Sequence, residues 1–214
     1  MFITCEGPDG SGKTTQARLL ATFLEEQGYP VCFTREPGGT SIGDQIREVL
    51  LDNLDNREMR PRTEMLLFSA ARAQHVEELI RPALSAGQIV VCDRYYDSTL
   101  AYQGYGHGLD LEALRQITMF ATGGLIPDLT ICIDLDVQTG LERRRKDKEA
   151  NWNRLDDLAL AFHQRVRAGY HELLKLEPAR WVLVDGDRPV DAVQAEVRQV
   201  VLDRLRAQGT TTPA

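Results

Sequence analysis

Eight consecutive residues, Gly7-Pro8-Asp9-Gly10-Ser11-Gly12-Lys13-Thr14, follow an apolar opening, Phe2-Ile3-Thr4-Cys5, and match the spacing G-x-x-x-x-G-K-[ST] throughout. The three glycines let the backbone turn so that successive N–H groups point inward, and the helix that follows adds the positive end of its dipole. Such a loop cradles a triphosphate. Lys13 can reach the β- and γ-phosphates, and Thr14 can place its hydroxyl on Mg²⁺. The bland alternative is a Gly-rich turn that ends in Lys-Thr by chance; a strand before it and a helix after it are the contexts that separate the two.

Further along, Ile89-Val90-Val91-Cys92 ends in Asp93, a Walker-B-like carboxylate, and Arg94 beside it is placed to grip a second anion. Phe68, Arg72 and His75 fall at i, i+4 and i+7, so an aromatic ring and a fixed cation share one helix face. Arg143, Arg144, Arg145 and Arg154 form a third set of cations. No nucleophile or Ser-His arrangement accompanies them. The guanine-reading Asn-Lys-x-Asp and the Asp-x-x-Gly of GTP switches are both missing. If the acceptor is a phosphate monoester, its second pKa of about 6 leaves the attacking oxygen already anionic, and no general base is needed. Positioning and charge neutralisation then suffice.

The elements that must position these groups alternate along the chain. Helical spacing from 13 to 27 is stopped by Gly28, and a strand follows at 31 to 35. Thr40 or Ser41 can cap a helix to about 50, and a long helix is expected from about 63 to 86. Strands are expected at 89 to 93, 129 to 133 and 181 to 185. Helices are expected at 110 to 122, from about 137, from about 155 to 175 and from 190 to 207. Gly104-Tyr105-Gly106-His107-Gly108 is expected to be a mobile loop, and the tail 209–214 to be disordered. Five alternations of strand and helix call for an α/β fold of the P-loop NTPase kind, a five-stranded parallel sheet flanked by helices. Ligands in such sheets gather at the carboxyl ends of the strands, where the phosphate loop, Glu36, Asp93-Arg94, Asp136 and Asp185 should converge.

The 214 residues, 43% of them hydrophobic, suit one domain, over 1–208. A net charge of −7 argues against a nucleic-acid polymer as partner, because that binding needs a broad basic face. Cys5, Cys32, Cys92 and Cys132 sit in short apolar runs without C-x-x-C spacing and read as buried thiols of a reducing compartment. No basic-then-apolar leader opens the chain, and no apolar run approaches the ~18 residues of a membrane span. The expected location is cytoplasmic.

Four stretches together resemble the thymidylate kinases: Glu6 to Thr14, Arg35-Glu36-Pro37-Gly38-Gly39-Thr40, Leu67 to His75, and Asp93 to Gln103, the last being the most specific. The resemblance implies a nucleoside monophosphate kinase-like fold and Mg²⁺-dependent transfer from ATP to dTMP. Gly7, Pro8, Asp9, Gly10, Ser11, Gly12, Lys13, Thr14 and Thr15 would hold ATP, while Thr14 and Asp93 would serve the metal. Phe68 would stack on thymine and Arg72 would hydrogen-bond its carbonyl. Arg94 would hold the dTMP phosphate, Asp9 would approach the 3′-hydroxyl, and Tyr102 would crowd the 2′ position. Ser98, Gln103 and Glu36 would complete the acceptor site. Some members carry a catalytic arginine inside the phosphate loop. Here that position is Gly10, so the cation is expected from a lid at about 143–155, from Arg143, Arg144, Arg145 or Arg154. A homodimer joined through surface helices is also implied. On the residues alone, a deoxynucleoside kinase and a P-loop nucleotide-binding switch remain open.

Overall fold

A computed structural model describes residues 1–52, 58–146, 153 and 155–209. The strands are β1 (Phe2–Glu6), β2 (Val31–Arg35), β3 (Ile89–Asp93), β4 (Leu129–Asp134) and β5 (Trp181–Asp185). They form one parallel sheet in the order β2-β3-β1-β4-β5. The first connection passes over β3 to the edge and a later one leaves to the other side of β1. The strand order therefore reverses beside the central strand, and a crevice opens at its carboxyl end. The phosphate loop starts there.

Both faces of the sheet are apolar because both are covered. Ile3, Cys5, Val91, Ile131 and Ile133 pack with Ala17, Leu20 and Leu24 of α1 (Lys13–Glu26) and with Val193, Val197 and Val201 of α9 (Val190–Ala207). The alternate side chains Phe2, Val90, Cys92 and Cys132 face the other way, onto Tyr95, Tyr96, Phe162, Tyr170 and Leu173. By the same period of two, Thr4 and Glu6 point to that second side. Among the described residues no helix is long and apolar enough to cross a membrane.

The Thr40 hydroxyl accepts from Gly43 N at 3.0 Å and caps α2 (Ser41–Arg47), as the sequence suggests. The long central helix runs as α3 (Pro61–His75), one wide turn at Val76–Ile80, and α4 (Arg81–Ser85). After β3 come the short α5 (Tyr96–Thr99) and a wide helical segment, Leu100–Gly106, then α6 (Leu111–Thr122).

That wide segment corrects the expectation of a mobile loop at 104–108. Gly106 is buried, and a methyl group there would stand 2.7 Å from the Phe162 ring. The glycine lets α8 (Leu160–Leu176) lie directly on the segment, so its purpose is close packing rather than freedom. Arg165 of α8 donates from Nε (3.0 Å) and Nη2 (2.8 Å) to Gly106 O. α8 itself begins at Leu160, later than the expected 155. The helix α7 (Val137–Lys146) carries three of the four lid arginines; Arg154, most of the stretch from 147 to 153, and the tail beyond Gly209 lie outside the described residues.

Candidate active site

A cavity of about 290 Å³ opens at the carboxyl ends of β1, β2 and β3, close to the lower end of ligand-pocket sizes. Asp9, Lys13, Thr14, Glu36, Phe68, Arg72, Asp93, Arg94, Ser98, Tyr102, Gln103 and Arg144 all line it. Asp9, Glu36, Asp93 and Arg94 arrive at or just after strand ends and Lys13 and Thr14 on the first turn of α1, while Phe68 and Arg72 reach in from the middle of α3 and Arg144 from the last turn of α7. The remaining loop residues, Gly7, Pro8, Gly10, Ser11 and Gly12, form the turn into α1, and Thr15 is exposed on its first turn.

Arg94 is the centre of the network. It is the one non-glycine residue with positive φ, 69°, among those described. Such a backbone costs about 1–3 kcal/mol and persists only where its surroundings hold it. Here they do. Nη1 donates to Gly7 O (3.2 Å), Ser98 Oγ (3.0 Å) and Tyr170 Oη (3.0 Å). Nη2 donates to Asp9 Oδ1 (2.6 Å) and Tyr102 Oη (3.1 Å). Tyr102 in turn donates to Asp9 Oδ2 at 2.6 Å, and the guanidinium lies 5.1 Å from the centre of its ring. Beneath it, Glu6 accepts from Tyr95 N (2.7 Å), Ser98 Oγ (2.6 Å) and Tyr170 Oη (3.1 Å).

Burial and charge set the proton affinities. Burial, then the charge of nearby Asp97, pushes the Glu6 carboxyl up to about 7. Burial would also raise Asp9, but Arg94 and Lys13 beside it outweigh that and hold its carboxyl well below the usual range. Burial, with Arg94 close by, pushes the Lys13 ammonium down to about 8 against the pull of Asp9 and Asp93. Lys13 Nζ donates to Pro8 O at 3.1 Å and stands 3.7 Å from Asp9.

Arg72 departs from the surface cation that helix periodicity alone suggests. Its side chain is 2% exposed and donates from Nε to Glu36 Oε2 at 2.7 Å, while Glu36 Oε1 lies 3.1 Å from His75 Nδ1. Glu36 thus holds Arg72 in place. The Arg72 Nη1 is buried with no hydrogen-bond partner, a donor that a carbonyl would satisfy. Gln103, which lines the same cavity, donates from Nε2 to Glu64 Oε1 at 2.6 Å.

For a magnesium ion the donor set fits. Thr14 Oγ1 donates to Asp93 Oδ2 at 2.5 Å, and Asp93 Oδ1 is buried without a partner. These are hard oxygens, as Mg²⁺ prefers. Among the described residues no group of three or more His, Cys, Asp or Glu could hold an ion alone.

The lid arginines part company. Arg144 lines the cavity and donates from Nη2 to Asp156 Oδ2 at 2.6 Å. Arg143 turns to the end of β5, donating to Gly186 O (3.0 Å) and Asp187 Oδ1 (2.8 Å). Arg145 lines a separate groove with Gln138, Glu142 and Leu160. The Gly10 position is closed to any side chain: an added methyl would stand 2.0 Å from Gly140 O, and one on Gly140 would stand 2.3 Å from Asp9 O. The loop and α7 therefore touch backbone to backbone. Asp136 and Asp185 do not join the cavity. Asp136 Oδ1 accepts from Gln138 N and Thr139 N at the start of α7, and Asp185 Oδ1 accepts from Asp187 N.

Tyr170, Glu6 and Glu64 also take part, and no motif implies a chemical role for any of them. Tyr170 lies on an amphipathic helix and reads as core; Glu6 precedes the loop and Glu64 opens a helix. No local signal marks them.

A family model described as thymidylate kinase matches residues 5–197. The chain belongs to the thymidylate kinase family. It is 54% identical over 211 residues to the thymidylate kinase of Roseiflexus sp. (strain RS-1), covering 94% of this chain and 93% of that one. It is 55% identical over 204 residues to that of Thermomicrobium roseum, covering 94% and 95%. A solved structure of thymidylate kinase from Ehrlichia chaffeensis, 35% identical, superposes with a TM-score of 0.78 over 94% of this chain and 98% of that one. The enzyme is a nucleotide-binding phosphotransferase that phosphorylates dTMP to dTDP with ATP, on the expected P-loop nucleoside monophosphate kinase fold.

Proposed function

We propose that this transfer runs across the cavity between the phosphate loop and Arg94. ATP phosphates lie along Gly7 to Thr15, with Lys13 on the β- and γ-phosphates, and dTMP lies over Phe68 with its phosphate on Arg94. Arg72 Nη1 donates to the thymine carbonyl, Asp9 meets the 3′-hydroxyl, and the Tyr102 ring crowds the 2′ position. Ser98 acts through Arg94, and Glu36 through Arg72. The observation that carries this reading is the guanidinium of Arg94, fixed by five hydrogen bonds beside the phosphate loop. It is a second anion site next to the first.

Thr14 and Asp93 would hold Mg²⁺, with phosphate oxygens and water completing its shell; when bound, the ion neutralises charge shared by the β- and γ-phosphates. The protein's own contribution is positioning. An anionic oxygen of the dTMP phosphate forms the new bond to the γ-phosphorus while the bond to the ADP oxygen breaks, and no side chain has to remove a proton. Lys13, Arg94 and a lid arginine hold the spreading charge; Arg144, on the cavity wall, is favoured over Arg143 and Arg145. One kinase domain over 1–208, with a lid at 143–155, fits this division of labour.

A coupled ADP-release assay with dTMP, dUMP and thymidine tests the assignment. Turnover of dTMP without turnover of thymidine is expected, and the reverse would overturn it. Two broader readings accompany it. Cys5, Cys32, Cys92 and Cys132 all carry free thiols, which suits the reducing cytoplasm. Leu66 of α3 and Met119 and Phe120 of α6 leave apolar side chains exposed, which suits pairing of two copies through surface helices; light scattering would report a dimeric mass.

A further inference from the structure

Glu64 and Gln103 are 39 residues apart in the chain, yet Gln103 Nε2 donates to Glu64 Oε1 at 2.6 Å, with the residues 1% and 2% exposed. His107 Nε2 stands 3.4 Å from the same carboxylate oxygen. This is the only hydrogen bond of the Gln103 side chain among the described residues. An amide has two unlike ends, and in a cavity either can face a ligand unless something chooses. A carboxylate chooses, because it accepts and cannot donate. Glu64 takes the NH₂ end and so turns the carbonyl oxygen away from itself. Gln103 lines the cavity with Phe68 and Arg72, and Arg72 has a buried donor there without a partner, Nη1.

We propose that Glu64 is a positioning residue for base selection, fixing the Gln103 amide so that a pyrimidine meets an acceptor from Gln103 and a donor from Arg72. Thymine offers the complementary pair, a carbonyl at C4 and an N–H at N3. Cytosine offers an amino group and a bare ring nitrogen, so both contacts become donor against donor or acceptor against acceptor. A buried polar group left unpaired makes such sites discriminate strongly. The inference deepens the reading that the base lies over Phe68 and rests on it.

The test compares dTMP with dCMP as acceptors. In Glu64→Gln either end of the new amide can face Gln103, so its orientation is no longer dictated. The dTMP-over-dCMP ratio of kcat/KM should narrow about tenfold while the KM for ATP stays within about twofold. Glu64→Asp keeps an acceptor-only group and should keep most of the ratio even if the KM for dTMP rises. In a Gln103→Met background, Glu64→Gln should leave the ratio unmoved, because the group it acts through is gone. An unchanged ratio in Glu64→Gln, or an equal change in the Gln103→Met background, would overturn the proposal. Failure of the underlying base placement is separable: Phe68→Ala and Gln103→Met would then leave the KM for dTMP unchanged.

Discussion

Arg144→Ala tests the assignment of the lid cation most directly. Of the lid arginines that the structure describes, it alone lines the reaction cavity, and its charge is felt at both Asp9 and Lys13. A guanidinium supplies about two charge-assisted hydrogen bonds to the γ-phosphoryl oxygens, at about 1.5–3 kcal/mol each. Part of this is offset because Arg144 must loosen its 2.6 Å bond to Asp156. A net loss of about 3–4 kcal/mol corresponds to roughly 10²–10³ in kcat. One complication comes from the same contact. Asp156 has a side chain only 1% exposed, and removing Arg144 takes away its ionic partner, although Asn153 N still donates to it at 3.0 Å. An unpaired buried carboxylate destabilises a fold by several kcal/mol, so Arg144→Ala should be paired with Arg144→Ala/Asp156→Asn, which restores stability without restoring the cation. The assay is steady-state kcat with both nucleotides saturating, beside thermal melts of each variant. Arg143 is 43% exposed and pairs with a 68% exposed Asp187, a kind of contact worth little. Arg143→Ala and Arg145→Ala should therefore stay within about threefold of the parent kcat. A larger loss in either of them than in Arg144→Ala would refute the reasoning.

Arg94→Ala should raise the KM for dTMP about a hundredfold and that for ATP within about threefold, measured by initial rates; equal effects would contradict a site for the acceptor phosphate. Lys13, pushed down to about 8, is charged below that pH and neutral above it, so kcat/KM for ATP should fall on an alkaline limb starting near pH 8. Lys13→Arg, charged at every accessible pH, should lack that limb, and a parent profile flat to pH 9.5 would count against the assignment. Glu6 keeps its proton to about 7 in the folded chain, whereas an ordinary glutamate releases it near 4.5. The folded state therefore binds more protons between those values, and the associated stability, full below 4.5, is lost as pH rises through about 7. Glu6→Gln cannot lose it, so the melting temperature of the variant relative to the parent should climb from pH 5 to pH 8; a constant difference would exclude the effect.

The amino-acid sequence by itself determined the five strands, the phosphate loop and the family. Ile89–Asp93 and Leu129–Asp134 are short, β-branched-rich apolar runs between turn signals, the pattern of strands covered on both faces, and the structure buries them almost throughout. Lys13, Thr14, Asp93 and Arg94 were legible because a motif is local: its chemistry and its spacing lie within a few residues. What the tertiary structure alone decided lies across long separations. Three consecutive arginines look alike in sequence, but a helix turns about 100° per residue, so Arg143, Arg144 and Arg145 face the end of β5, the cavity and an outer groove. Gly10 reads as an absent side chain; only the contact with Gly140 shows that none would fit. Gly104 to Gly106 reads as a flexible loop, because the sequence does not reveal that Phe162 and Val166 pack against its bare backbone. Glu6, Glu64 and Tyr170 carry no signal of their own. Their roles come from partners 39 to 164 residues away, and a hydrogen bond is set by distance and direction in space, which only the folded chain specifies.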